Sequence, residues 1–106
     1  MPGLRHFRAW PRRRSDAPVV LRVARVERRA RLTDIGLGGA GLLVETPLPV
    51  GTELEIVLHA PTRWDPLVLP ATVAWARGRR IGLAFKPGSD RDAYDLFEML
   101  GTAVFD

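Results

Sequence analysis

The residues of this chain best equipped for chemistry are arginines and one carboxylate set beside glycines. Arg5, Arg8, Arg12, Arg13 and Arg14 crowd the N-terminus, and Asp34 heads the stretch Asp34-Ile35-Gly36-Leu37-Gly38-Gly39-Ala40-Gly41, with four glycines in eight residues. A planar guanidinium makes paired hydrogen bonds to phosphate, or to the O6/N7 edge of guanine, that lysine does not match. A carboxylate accepts from the N1–H and N2–H₂ donors on guanine's other edge. Glycine is used where the chain needs φ > 0 or where something must approach the backbone closely. These types together suit a guanine nucleotide. The same residues also make a plain turn beside a solvated basic face.

Other chemistries find little footing. Gly36, Gly38 and Gly41 spell G-x-G-x-x-G. That motif works only where a helix begins and its N-terminus meets a pyrophosphate. Here Leu42-Leu43-Val44-Glu45-Thr46-Pro47 follows, a strand and a stop, so the dinucleotide reading fails. His6 and His59 are far apart in sequence, and no His and carboxylate cluster has zinc spacing. Ser15 and Ser89 lie in no nucleophile-type turn. With no cysteine, neither a disulfide nor a thiolate metal site is possible. The expectation is a non-enzyme with no metal and no cofactor.

The elements that position these residues follow from pattern. At 106 residues the chain is long enough for one modest core. Residues 1–17 carry neither helical nor strand period and read as a flexible, arginine-rich arm; residues 18–106 read as the folded domain. Val19–Val26 and Ala30–Ile35 read as a hairpin turning at Glu27-Arg28-Arg29. Gly41–Glu45, Glu53–His59, Leu67–Ala76 and Ile81–Phe85 read as further strands, with Pro70 marking a bulge or an edge. In Glu53–His59, Leu54, Ile56 and Leu58 face inward and Glu53 and Glu55 outward. Ser89 is an N-cap for a closing helix to about Leu100, with Tyr94, Phe97, Leu100 and Leu96 at helical spacing. The sum is an all-β, six-stranded antiparallel barrel with a C-terminal helix and an extended N-terminal arm.

Charge and hydropathy bound the partners. The net charge is +4, and Lys86 is the only lysine. Ten arginines fall in residues 1–31, whereas the segment from Gly88 is acidic. No apolar run reaches the length of a membrane span, and the basic N-terminus has no apolar core of a secretory signal. The expected location is the cytoplasm, without membrane insertion.

In order and spacing these parts resemble the PilZ domain, the bacterial receptor module for cyclic di-GMP. The resemblance runs from about Arg8 to Leu100. It is carried by the N-terminal arginines, the hairpin to Ile35, the Asp34–Gly39 turn, Pro47-Leu48-Pro49-Val50-Gly51-Thr52, Val73-Ala74-Trp75-Ala76-Arg77 and Arg79-Arg80-Ile81-Gly82-Leu83-Ala84-Phe85. The family's ligand motifs are R-x-x-x-R and D/N-x-S-x-x-G. Arg8-Ala-Trp-Pro-Arg12 matches the first, and Arg12 lies 22 positions before Asp34. A register starting at Arg13 or Arg14 would place Ala17 or Pro18 second and break the motif. Asp34 and Gly39 match the second motif, but Gly36 stands where the family has Ser.

The resemblance implies a cyclic di-GMP receptor that binds through Arg8, Arg12, Arg13, Asp34, Gly36 and Gly39. Its arm would close on the ligand and its signal would pass to an unidentified effector protein. Loss of one serine hydrogen bond weakens binding by about 0.5–1.5 kcal/mol, up to roughly tenfold. The alternative is a degenerate PilZ domain that binds a partner protein and no nucleotide. Trp75 is either a stacking surface on the ligand face or a rim aromatic. DNA or RNA binding would need aromatics aligned on a basic face, and Trp10, Trp64 and Trp75 are scattered.

Overall fold

Alternation of apolar and polar residues turns most of this chain into strands, and the computed structural model describes residues 12–59, 64–86, 94–96 and 98. The strands are β1 (Arg13–Arg14), β2 (Pro18–Val23), β3 (Val26–Ile35), β4 (Gly39–Val44), β5 (Glu53–Leu58), β6 (Leu67–Arg77) and β7 (Arg80–Phe85). All pairings are antiparallel in the order β1-β3-β2-β5-β6-β7-β4, and β3 also pairs with β4. Six strands thus close a barrel and leave no unpaired edge among themselves. β1 is the extra strand. It extends the edge of β3 that β2 occupies, pairing Arg13 with Ile35 and Arg14 with Asp34.

The core is the inward row of every barrel strand. Leu21, Leu32, Ile35, Leu42, Ile56, Leu58, Val73 and Ile81 are fully buried, and no described polar or charged residue is buried. Each such aliphatic side chain contributes about 1.5–3 kcal/mol by leaving water. On β5 the expected alternation holds: Leu54, Ile56 and Leu58 are buried, and Glu53 and Glu55 are exposed.

Two local expectations need correction, and the alternatives at Pro70 are separated. The first hairpin turns at Ala24-Arg25, not at Glu27-Arg28-Arg29, because Val23 pairs with Val26 and the charged residues continue β3. Both turn residues have positive φ, 50° and 71°, as a two-residue turn matching strand twist requires. The reading of residues 1–17 without strand period missed Arg13–Arg14 in β1. Pro70 carries no bulge; its carbonyl accepts from Lys86 N at 2.8 Å, one residue beyond the end of β7. The N–H that proline lacks therefore points where β7 has run out, the edge alternative. The bulge in β6 lies between Val73 and Trp75 instead.

Residues 94–96 and 98 are helical, and the expected cap Ser89 lies outside the described residues. Leu96 is the described residue that packs into the core. Tyr94, expected on the apolar face, is exposed, and its hydroxyl donates to Glu98 Oε2 at 3.1 Å. That hydrogen bond and the glutamate's charge raise the phenol's pKa.

Candidate functional site

Asp34 reaches the surface because β3 contains a bulge. Leu32 and Ile35 both face the core, three residues apart, which strict alternation forbids. The register shift between Leu32 and Asp34 absorbs the extra residue and places Asp34 on the outer face, opposite Gly41 of β4. Asp34 therefore sits in a strand and not in the turn expected for it. The turn proper is Gly36-Leu37-Gly38, closed by Gly36 N donating to the Gly39 carbonyl at 2.9 Å.

One carboxylate oxygen gathers the local donors. Asp34 Oδ1 accepts from Gly41 N at 3.1 Å, from Arg12 Nε at 3.1 Å and from Arg12 Nη2 at 2.5 Å. Oδ2 has no hydrogen bond among the described residues. Arg14 stands directly opposite Asp34 in the β1–β3 pairing, so it shares that face. Arg12 and Asp34, expected together, are together. Arg13 lies opposite the core-facing Ile35, so in this pairing it is on the other face from Asp34 and is not brought to it. Arg8 lies outside the described residues.

The glycines act by close approach and not by φ. Among the described glycines only Gly51 and Gly78 have positive φ. A β-carbon at Gly41 would lie 2.6 Å from Thr33 Oγ1 and 3.2 Å from Asp34 Oδ1. One at Gly39 would run into the Leu83 carbonyl oxygen of β7. One at Gly82 would run into the indole of Trp75.

That last contact reveals a row that the sequence did not. The register links Asp34 to Gly41, Gly41 to Gly82 and Gly82 to Trp75 across four neighbouring strands. Trp75 arrives by the same device as Asp34, since a bulge after Val73 turns it out of the barrel. Its indole lies over Gly82 and stays 44% exposed. The row is a carboxylate at one end and an aromatic at the other, with two glycines between that make room for those two side chains. Three strand spacings put its ends roughly 14 Å apart. Beyond Trp75 a hollow of about 360 Å³ is lined by Trp75, Arg77 and Arg80. Among the described residues no three His, Cys, Asp or Glu side chains group as metal ligands, and no helix is long and apolar enough to cross a membrane.

Sequence reasoning missed Gly82 and left Gly41 and Arg14, both in the stretches it singled out, outside the ligand set. The legible signal for Gly82 was its outward place between Ile81 and Leu83, a bare position on an otherwise apolar strand.

Comparison with known proteins follows from this geometry. A family model described as PilZ domain matches residues 6–102. The fold is similar to the PilZ domain of CeSA from a cellulose-synthesizing bacterium, with a TM-score of 0.71 at 19% identity over 86% of this chain and 96% of that one. It is also similar to the PilZ domain of YcgR from Escherichia coli with c-di-GMP, with a TM-score of 0.65 at 20% identity over 88% and 91% of the two chains. Against YcgR from Escherichia coli in complex with c-di-GMP the TM-score is 0.67 at 21% identity, and the match covers 88% of this chain and 44% of that longer one. No protein with a curated description matches the chain significantly.

Proposed function

The chain belongs to the PilZ domain family, and we propose that it is a non-enzymatic receptor for cyclic di-GMP that signals to a partner protein. The observation that carries this reading is the convergence of Arg12 on Asp34 at one end of the Asp34–Trp75 row. Phosphates and the O6/N7 edge of guanine suit the arginines, and the N1–H and N2–H₂ edge suits Asp34. Trp75 offers an exposed ring for a base to stack on, worth about 1–3 kcal/mol per base. The two glycines seat the groups that would meet the ligand, Gly82 under the Trp75 indole and Gly41 against the Asp34 carboxylate.

The Arg12–Asp34 ion pair supports a switch. Arg12 neutralises Asp34, so a guanine that takes the carboxylate must displace the guanidinium. The displaced Arg12 becomes available for phosphate, with Arg8 and Arg13 closing from the same arm. Binding thus exchanges an internal ion pair for two ligand contacts and moves the arm, which is the change a partner reads. Gly36 in place of the motif serine favours the second reading, a PilZ domain that binds only a partner protein. Calorimetric titration with cyclic di-GMP separates them. Saturable heat is expected, and absence of heat at high micromolar ligand with folded protein would leave only the interaction module.

A further inference from the structure

A second basic surface lies farther along the β3–β4 pair. Arg29, Arg31 and Leu43 are exposed there, and Arg31 pairs with Leu43 across the strands. With Pro18 and Arg79 they border a hollow of about 610 Å³. A smaller hollow of about 240 Å³ adjoins it through Arg29, Val44 and Glu45. Arg28 lines that smaller hollow, opposite Leu21 on the inward side of β3. Its Nε is buried and has no acceptor among the described residues. The carboxylate of neighbouring Glu27 is turned to Arg22 at 3.2 Å. Arg29 and Arg79 form no ion pair among the described residues.

The two adjoining hollows therefore hold an orphaned donor in the smaller one, an apolar knob 42% exposed at Leu43, and three guanidinium groups around the larger one. We propose that this groove docks an acidic segment of a partner protein. One carboxylate enters the smaller hollow and accepts from Arg28 Nε, an apolar side chain covers Leu43, and a second carboxylate meets Arg29, Arg31 and Arg79. A nucleic acid fits less well. Among the described residues none that lines either hollow is aromatic for a base to stack on. Because β3 and β4 are paired with each other, the partner cannot add a strand there, so side chains must carry recognition.

Arg31 ties this groove to the arm. Its Nη1 donates to the Asp16 carbonyl at 2.7 Å, just after β1. Movement of the arm on ligand binding alters the guanidinium that lines the groove. This link rests on the receptor reading above; the groove's own binding does not.

The test is a ¹⁵N–¹H NMR titration of the full chain with the blocked peptide Glu-Leu-Glu-Glu-Leu-Glu, its Glu→Gln counterpart and a thymidine hexanucleotide. Shifts confined to the neighbourhoods of residues 28–31, 43–45 and 79, absent with the Gln peptide and weakened by salt, are expected. Arg29→Gln with Arg79→Gln should weaken the Glu peptide at least threefold, and Arg28→Met should do so separately; both keep the parent's amide dispersion. Arg12→Ala should lose cyclic di-GMP and keep the peptide, so failure of the nucleotide reading and failure of the groove are distinct results. Scattered shifts, no shifts, or equal affinity in parent and both variants overturn the proposal. Hexanucleotide binding at these residues that exceeds peptide binding overturns it in favour of nucleic acid.

Discussion

Arg12 delivers Nε and Nη2 to the same oxygen of Asp34, and Gly41 N donates to that oxygen too. The convergence has a consequence for energetics. The two side chains are about one-third exposed, 34% and 36%. An ion pair so open to water contributes at most about 0–1 kcal/mol to folding. The contact is therefore cheap to break, which suits a pair that a ligand must open. Its value lies in placing a guanidinium on the outer face beside the carboxylate before any ligand arrives.

Arg12→Ala is expected to weaken cyclic di-GMP by about 1.5–3 kcal/mol, because it deletes a charge-assisted contact. The thermal midpoint should move little, for the exposure reason above. Arg14→Ala serves as the register control. Arg14 faces the same side but has no hydrogen bond to Asp34, so its loss should cost less in a calorimetric titration. The reverse order, with Arg14 dominant, would show that the motif starts at Arg13 or Arg14 and not at Arg8.

Asp34→Asn tests the guanine edge. The amide keeps an acceptor for Gly41 N but can turn N–H₂ donors toward guanine donors. Binding should fall by roughly tenfold or more, since one charged hydrogen bond is worth about 1.5–3 kcal/mol. Arg12 also loses its ion pair, so the amide resonances of residues 12–14 should shift in the free protein. Unchanged affinity would remove Asp34 from the ligand.

Much of this architecture was legible in the sequence, and the exceptions share a cause. Alternation identified β5 and the second half of β3, apolar runs identified β2, β4, β6 and β7, and β1 was missed. The Asp34-to-Gly39 spacing and Arg8-Ala-Trp-Pro-Arg12 pointed to the family. Bulges were not legible. By alternation from Leu32, Asp34 would point into the core, and from Val73 so would Trp75. A carboxylate at a nominally inward position was the available clue that a residue had been inserted. The first turn was misplaced because Glu27-Arg28-Arg29 is polar, whereas Ala24-Arg25 must adopt positive φ without glycine or asparagine. Tertiary pairing of Val23 with Val26 overrode that local signal.

Gly82→Ala and Gly39→Ala should separate a glycine that seats Trp75 from one that serves the barrel. A β-carbon at residue 82 meets the Trp75 indole, a side chain on the open surface that can swing away. Stability should change by less than about 1 kcal/mol, while cyclic di-GMP weakens several-fold and tryptophan emission shifts. A β-carbon at residue 39 meets the Leu83 carbonyl, which belongs to the barrel's own backbone. That variant should lose about 2 kcal/mol or more by chemical denaturation. Equal destabilisation by both would mean that Trp75 is fixed and serves the fold alone.

Gly36→Ser is the substitution that restores the family motif, and it should strengthen cyclic di-GMP. Gly36 N already donates to the Gly39 carbonyl, so the backbone of the turn is closed before any hydroxyl is added. A serine then contributes one further hydrogen bond, about 0.5–1.5 kcal/mol, or up to tenfold in affinity. It also removes the conformational freedom of glycine from the unfolded chain, which adds about 0.4–1 kcal/mol of stability where the native φ/ψ suits a β-carbon. Calorimetry against cyclic di-GMP, with a denaturation curve alongside, reads both effects. Tighter binding with unchanged or raised stability supports a nucleotide-facing turn. Saturable binding in the parent that the serine leaves unaltered would place residue 36 away from the ligand. Binding gained only with the serine would mean that the natural chain has given up the nucleotide.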